Sequence, residues 1–147
     1  MTGYRSLIFA CALMLSPLLH AGEDTQASLM SEAPKDAKVY IISPQDGEKV
    51  PKTFIVKFGL SGMGVAPAGV DRDKTGHHHL LIDVDEMPDM TKPLPATDNI
   101  VHFGGGQTET EVTLPPGKHT LQLVLGNYLH IPHKKPVMSE KITVEVE

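Results

Sequence analysis

The stretch "GHHHLLID" places three consecutive histidines, His77 to His79, directly before an apolar run. Imidazole nitrogen is the commonest transition-metal ligand in proteins, and it suits copper, zinc and nickel. Whether the triplet can hold an ion depends on which other side chains lie beside it in the folded chain. The candidates among the remaining histidines are His102, His130 and His133.

The elements that must position these side chains are short strands. Runs of β-branched or alternating apolar residues, separated by turns rich in Gly, Pro and Asp, predict seven of them. They are expected at 38–43, 53–60, 77–84, 100–103, 108–114, 119–126 and 139–147. The sequence therefore predicts an all-β fold, a single antiparallel immunoglobulin-like β-sandwich. The triple glycine after the fourth strand predicts a hairpin to the fifth.

The order of these strands predicts which histidines share one end of the sandwich. In an immunoglobulin-type sandwich, the connections before the third, fifth and seventh strands meet at the same end. His77, His102, His130 and His133 all fall at that end, and Met63 lies in the loop before the third strand. His119 begins the sixth strand at the opposite end, where a structural role is expected.

Side-chain alternation along the third strand separates the triplet into two faces. His78 shares a face with Leu80 and Ile82, so it should point toward the core, while His77 and His79 should point away from it. The predicted metal site therefore uses His77, His79, His130 and His133, with His102 or Met63 as additional ligands. The expected ion is copper or zinc.

The N-terminal segment predicts export. A short basic start, an uncharged apolar run and a small residue at Ala21 are typical of a secretory signal peptide over 1–21. A flexible tether is expected over 22–37 and the folded domain over 38–147. The single cysteine, Cys11, lies within the predicted signal, so the exported domain must be stabilised by its core without disulfides. The expected location is periplasmic or otherwise exported, with membrane contact only through an uncleaved signal.

Composition and motifs argue against several function classes. The chain has 13 Lys+Arg and 18 Asp+Glu, a net charge of −5, and scattered lysines, which is not typical of nucleic-acid binding. The triple glycine lacks the Lys-Ser/Thr pair of a phosphate loop. Glu109 is the one candidate base for a hydrolytic zinc site. We expect a monomer that is not an enzyme.

Four motifs in order, "GHHHLLID", "HFGGGQTE", "LPPGKHTLQLVLGNYLHIPH" and "VMSEKI", resemble the DUF4399 family of small, mostly exported bacterial domains. The resemblance extends from about Ile42 to Val146. It implies the β-sandwich fold and leaves the activity open, because the family is named for its unknown function.

Two functional hypotheses follow from the sequence. In the first, the protein is an exported module that binds copper or zinc and takes part in metal handling in the cell envelope. In the second, it binds no metal, and its histidine-rich end is a non-catalytic surface for an envelope protein. Metal titration of the purified domain distinguishes the two hypotheses.

Overall fold

The computed structural model describes residues 29–147, which form an all-β domain. Its strands are β1 (Lys38–Ser43), β2 (Lys49–Val50), β3 (Thr53–Ser61), β4 (Gly64–Val65), β5 (Thr75–Ile82), β6 (Ile100–His102), β7 (Glu109–Thr113), β8 (Gly117–Gly126) and β9 (Ile142–Val146). Each predicted strand is present with its ends within a few residues of the prediction. The short strands β2 and β4 are additional.

The strands form two sheets. One has the order β1-β3-β7, and the other has the order β2-β9-β8-β5-β4, with β6 paired to β5. Neighbouring strands are antiparallel apart from the parallel pairs β2–β9 and β4–β5. The predicted all-β sandwich is therefore confirmed, including the adjacency of β5 and β8 on which the histidine geometry depends.

The predicted hairpin across the triple glycine is wrong. β6 pairs with β5, whereas β7 pairs with β3 in the other sheet, so the glycine segment carries the chain from one sheet to the other. The reason lies in β5, which is buried along nearly its whole length. A strand buried on both faces is most stable in the middle of a sheet, and β6 covers the edge of β5 that β8 leaves open.

The main core fills the space between the sheets. In β3, Phe54, Val56 and Phe58 are buried and the residues between them are exposed, as expected for a strand with one face toward the core. They pack with apolar side chains of the facing sheet, including Leu121 and Leu123. Full burial of each such side chain contributes roughly 1.5–3 kcal/mol, so this layer provides the stability of a domain without disulfides.

A second, smaller apolar cluster covers the outer face of the β5–β8 pair. It consists of Leu81, Leu94, Ile100 and Val124, with Val84, Met90 and Met138 packed against them. Leu94 belongs to the long connection between β5 and β6, so that connection folds back over the sheet. The outer face is consequently shielded from solvent, which decides the environment of every side chain that β5 directs there.

The segment 29–37, expected to belong to a flexible tether, is packed on the domain. The Asn127 side-chain amide donates to the Leu29 carbonyl at 2.9 Å and to the Ser31 hydroxyl at 3.1 Å, and Ala33 and Ala37 pack against the main core. Residues 29–37 are therefore part of the folded unit. The predicted signal peptide over 1–21 and the tether over 22–28 lie outside the described residues. Within 29–147, no helix is long and apolar enough to cross a membrane.

At the end of the sheet away from the histidine triplet, His119 on β8 is hydrogen-bonded to Asp83, the residue that follows β5. Its Nδ1 lies 2.6 Å from Asp83 Oδ2 and its Nε2 lies 2.9 Å from the Pro115 carbonyl. Both partners are acceptors, so both ring nitrogens donate only when the ring is an imidazolium. The hydrogen bond to Asp83 accordingly raises the pKa of His119 above 6.5.

We expect His119→Ala to lower the free energy of unfolding by roughly 1–2 kcal/mol at pH 6, because a charged hydrogen bond is lost at a partly exposed site. Because folding raises the pKa of His119, its stabilising contribution is complete below the pKa of the unfolded chain. That contribution is lost as pH rises through the pKa of the folded state. The difference between wild type and variant should therefore shrink as pH rises above 6.5. Urea denaturation from pH 6 to 9 measures it, and a constant difference would contradict a charged pair.

Candidate metal centre

Strand β5 directs the three consecutive histidines to opposite faces of its sheet. His78 points into the main core, where its ring packs on Phe58 with centroids 5.2 Å apart. His77 and His79 project from the outer face, and their ring centroids are 4.7 Å apart. The predicted alternation is confirmed. All three rings are fully buried, because the outer face is covered as completely as the inner one.

A third imidazole, from the loop between β8 and β9, completes a cluster on the outer face. Nδ1 of His130 lies 2.9 Å from Nε2 of His77 and 3.2 Å from Nε2 of His79. One ligand nitrogen from each of these rings lies within 4.8 Å of the other two. The three nitrogens could therefore coordinate one metal ion.

The loop that supplies His130 is held in a fixed shape by Asn127. The Asn127 side-chain oxygen accepts from the backbone N–H of Leu129 at 2.9 Å and of Ile131 at 3.1 Å. His130 itself has a φ of +64°, a left-handed conformation that is uncommon for residues other than glycine. Such conformations persist where the surroundings impose them, and they are frequent at functional sites.

The sheet leaves room for the cluster at Gly126, which pairs with His77 across the β5–β8 ladder. A Cβ atom at this position would lie 2.5 Å from Cε1 of His79 and 3.3 Å from the His130 carbonyl carbon. Any other residue would therefore collide with the cluster. Gly126 was not among the residues predicted for the site, and only the strand register reveals its role.

His102 lies beside the three rings as a fourth imidazole. Its ring stacks on that of His130 with centroids 4.7 Å apart and meets the edge of the His79 ring at 4.5 Å. Its Nε2 lies 3.1 Å from the Pro95 carbonyl, so Nε2 carries the proton in the neutral ring and Nδ1 keeps the lone pair. His102 thus supports the cluster through its ring contacts, and the group of nitrogens close enough to share one ion consists of His77, His79 and His130.

Other residues predicted for the site lie elsewhere. The His133 ring is fully buried beside the backbone of Thr75 and Leu125 and makes no ring contact with the cluster. Met63 packs against the main core between the sheets, on the other side of β5 from His77 and His79. The structure therefore brings together His77, His79, His102 and His130, and places His133 and Met63 apart from them.

Burial sets the protonation of the clustered rings. Desolvation, with a smaller contribution from the neighbouring histidines, lowers the pKa of His77 to about 4 and that of His79 to about 2. The pKa of His130 is lowered for the same reasons. The rings are consequently neutral near pH 7, which is the form that donates a lone pair to a metal ion.

Comparison with known proteins identifies the family. The family model described as "Domain of unknown function (DUF4399)" matches residues 56–147, and the chain belongs to this family. The resemblance seen in the four sequence motifs is therefore confirmed.

Among curated proteins, none matches the chain. Among solved structures, the endo-beta-1,4-mannanase from Thermotoga petrophila is similar, with 18% sequence identity and a TM-score of 0.47. That alignment covers 79% of this chain and 21% of the mannanase chain.

We expect the metal-free domain to lose stability as pH falls below the unfolded histidine pKa of 6.5. A lowered pKa in the folded state means that the unfolded chain takes up protons first, so the unfolded state is favoured as pH decreases. Each ring kept neutral contributes a loss that approaches about 1.4 kcal/mol per pH unit well below pH 6.5 and about half of that slope at pH 6.5. Urea denaturation with a chelator at pH 7.5, 6.5 and 5.5 measures the change.

The matched variant for that experiment is His77→Gln/His79→Gln, which removes two of the buried titrating rings. It should show a shallower dependence on pH than the wild type over the same range. Equal slopes for the two proteins would show that these rings take up protons equally in the folded and unfolded states, which contradicts a lowered pKa in the folded state.

Proposed function

We propose that the domain is an exported metal-binding module in which His77, His79 and His130 are the ligands. The observation that carries the proposal is the convergence of three imidazole nitrogens, two of them from fully buried rings and the third, from His130, partly buried, with Nδ1 of His130 lying 2.9 and 3.2 Å from the other two. Copper and zinc are the candidate ions, since imidazole suits both.

Hydrogen bonds satisfy this arrangement only in part. A neutral imidazole has one N–H and one lone pair, so Nδ1 of His130 can form one well-aligned hydrogen bond, yet it contacts Nε2 of both His77 and His79. Nδ1 of His77 and Nδ1 of His79 are also buried without a partner among the described residues. An unpaired buried polar group costs roughly 1–3 kcal/mol. A metal ion would use the lone pairs of Nε2 of His77, Nε2 of His79 and Nδ1 of His130 at once, with the N–H of His77 and of His79 on Nδ1.

The distances suit an ion with little rearrangement. Nitrogen ligands lie about 2.0–2.1 Å from zinc, so two ligands at angles of 90–110° are separated by roughly 2.9–3.4 Å. The contacts of His130 with His77 and His79, 2.9 and 3.2 Å, fall within this interval. The distance between the ligand nitrogens of His77 and His79, which is at most 4.8 Å, is the one that would change when an ion binds.

A binding role is favoured over catalysis. His77 and His79 are fully buried, and His130 and His102 stack against each other over the cluster, which leaves little room for a substrate. Glu109, the candidate base, is exposed on β7 opposite Lys57, in the sheet that does not carry the cluster. Envelope metal handling is the setting we propose, on the strength of the signal-like segment at 1–21.

The alternative, an interaction module without metal, has its own supporting observation. Tyr40, Ile42 and Ile55 are large apolar side chains that remain 43–48% exposed on the β1–β3 sheet. If the domain binds an envelope protein, this face suits the contact better than the histidines, since His77 and His79 are inaccessible. Absence of metal binding would favour this alternative.

We expect His130→Asn to weaken the binding of Zn(II) or Cu(II) by roughly a hundredfold or more, because one of three ligands is lost. Asparagine tolerates the left-handed backbone of this position, so the loop should keep its shape. The matched control is His133→Asn, which changes a buried histidine outside the cluster and should leave affinity within a few-fold of the wild type. Competition with a chromophoric chelator measures both.

Thermal unfolding of each variant shows whether it is folded before its affinity is compared. If His133→Asn abolished binding while His130→Asn did not, the ligand set would be wrong. If the folded wild type bound neither Zn(II) nor copper in either oxidation state more tightly than a histidine-containing peptide does, the metal-binding function itself would be wrong.

A further inference from the structure

We propose that the cluster of His77, His79 and His130 selects a monovalent ion, Cu(I), over the divalent ions Zn(II) and Cu(II). This inference rests on the proposed metal-binding function and specifies the ion. It follows from the charge of the ligands, from their burial and from their number.

The ligands carry no negative charge. The hydrogen bonds of the clustered rings join them to one another, and His102 adds only a contact with the Pro95 carbonyl. The electrostatic influences on His77 and His79 come from other histidines and from no carboxylate. The chain's one cysteine, Cys11, lies outside residues 29–147, so no thiolate from these residues can reach the cluster. An ion bound by these rings therefore keeps its full charge inside the protein.

Burial penalises that charge according to its square. The loss of hydration on transfer to a low-dielectric interior grows as the square of the ionic charge, whereas attraction to the dipoles of neutral ligands grows only in proportion to it. A divalent ion thus loses four times as much hydration as a monovalent ion of similar size for about twice the attraction. His77 and His79 are fully buried and His130 is partly buried, so the imbalance acts on an ion with at least two of its three ligands out of contact with solvent.

The number of ligands acts in the same direction. Zn(II) in closed protein sites is four-coordinate, and Cu(II) favours tetragonal geometry with at least four ligands. Cu(I), with a filled d shell, is stable with two or three. The cluster offers three nitrogens, and the stacked ring of His102 occupies the space beside them.

The sulfur ligand expected from the sequence does not contribute to this selectivity. Met63, whose thioether would favour Cu(I) through its softness, packs against the main core instead. The preference proposed here has a different physical origin, the charge of the ion in a neutral, buried site. Ag(I), another monovalent ion with a filled d shell, should therefore also bind.

The experiment compares affinities of the folded wild type for Cu(I), Ag(I) and Zn(II). Cu(I) is held reduced with ascorbate under anaerobic conditions and measured against bicinchoninate, and Zn(II) is measured against a chromophoric chelator. Cu(I) should bind at least a thousandfold more tightly than Zn(II), and Ag(I) should compete with it. Zn(II) binding equal to or tighter than Cu(I) binding would overturn the selectivity while leaving the metal site intact. Binding of none of the three ions would overturn the proposed function itself.

A matched pair of variants at His102 tests the cause. His102→Glu places a carboxylate beside the cluster, and His102→Gln places a neutral group of the same shape there. The carboxylate should lower the ratio of Cu(I) to Zn(II) affinity at least tenfold, equivalent to about 1.4 kcal/mol, relative to the glutamine variant. Equal ratios in the two folded variants would overturn the charge argument.

A measurement on the wild type alone keeps the inference testable if both variants fail to fold. Tighter binding of Cu(I) than of Cu(II) raises the reduction potential of the bound copper above that of the aqueous couple, by about 59 mV for each tenfold preference. A potential at or below the aqueous value would overturn the preference for the monovalent ion.

Discussion

The burial of β5 on both faces is the constraint on which the rest of this structure depends. One face packs into the core between the sheets, and the other is covered by the apolar cluster around Leu81 and Val124. Because both faces are covered, the strand must lie inside its sheet, with β8 on one edge and β6 on the other. This placement determines that His77 and His79 are buried beneath loops instead of lying at an exposed strand end.

Burial on the outer face determines the protonation and the hydrogen bonding of the clustered histidines. Imidazoles at a solvent-exposed strand end would titrate near their ordinary pKa and exchange hydrogen bonds with water. Here desolvation holds them neutral, and their nitrogens compete for one partner on His130. Folding therefore creates a set of polar groups that residues 29–147 do not fully satisfy by themselves. A ligand that binds only the folded state stabilises it by mass action, so a bound ion would stabilise the fold as well as occupy the site.

The parts of the fold and site that could be predicted are those governed by local alternation. The strand segments and the opposite orientations of His78 and its two neighbours depend on the two-residue period of a strand, which is visible in the sequence. The positions of His130, His133 and Met63 depend on the paths of loops, and no periodic pattern specifies a path. The left-handed conformation of His130 and the anchoring of its loop by Asn127 separate it from His133, three residues later. The cover over the outer face was also unpredictable, because the connection at 83–99 has no regular pattern.

The two ends of the β5–β8 pair show that environment, and not residue type, sets the properties of a histidine. At one end, His119 faces the Asp83 carboxylate and the Pro115 carbonyl, two acceptors that together require a doubly protonated ring. At the other end, the nitrogens of His77 and His79 face further imidazoles, so a proton added to any of them would meet desolvation and no acceptor with a negative charge. The first environment raises the pKa and holds a cation that belongs to the protein. The environment of His77 and His79 disfavours an imidazolium cation and keeps the rings neutral. Their lone pairs therefore remain available near Nδ1 of His130, as binding of a metal ion would require. Histidine thus forms a charged hydrogen bond at one end of the β5–β8 pair, and at the other end it forms a group of neutral rings that could hold a metal ion.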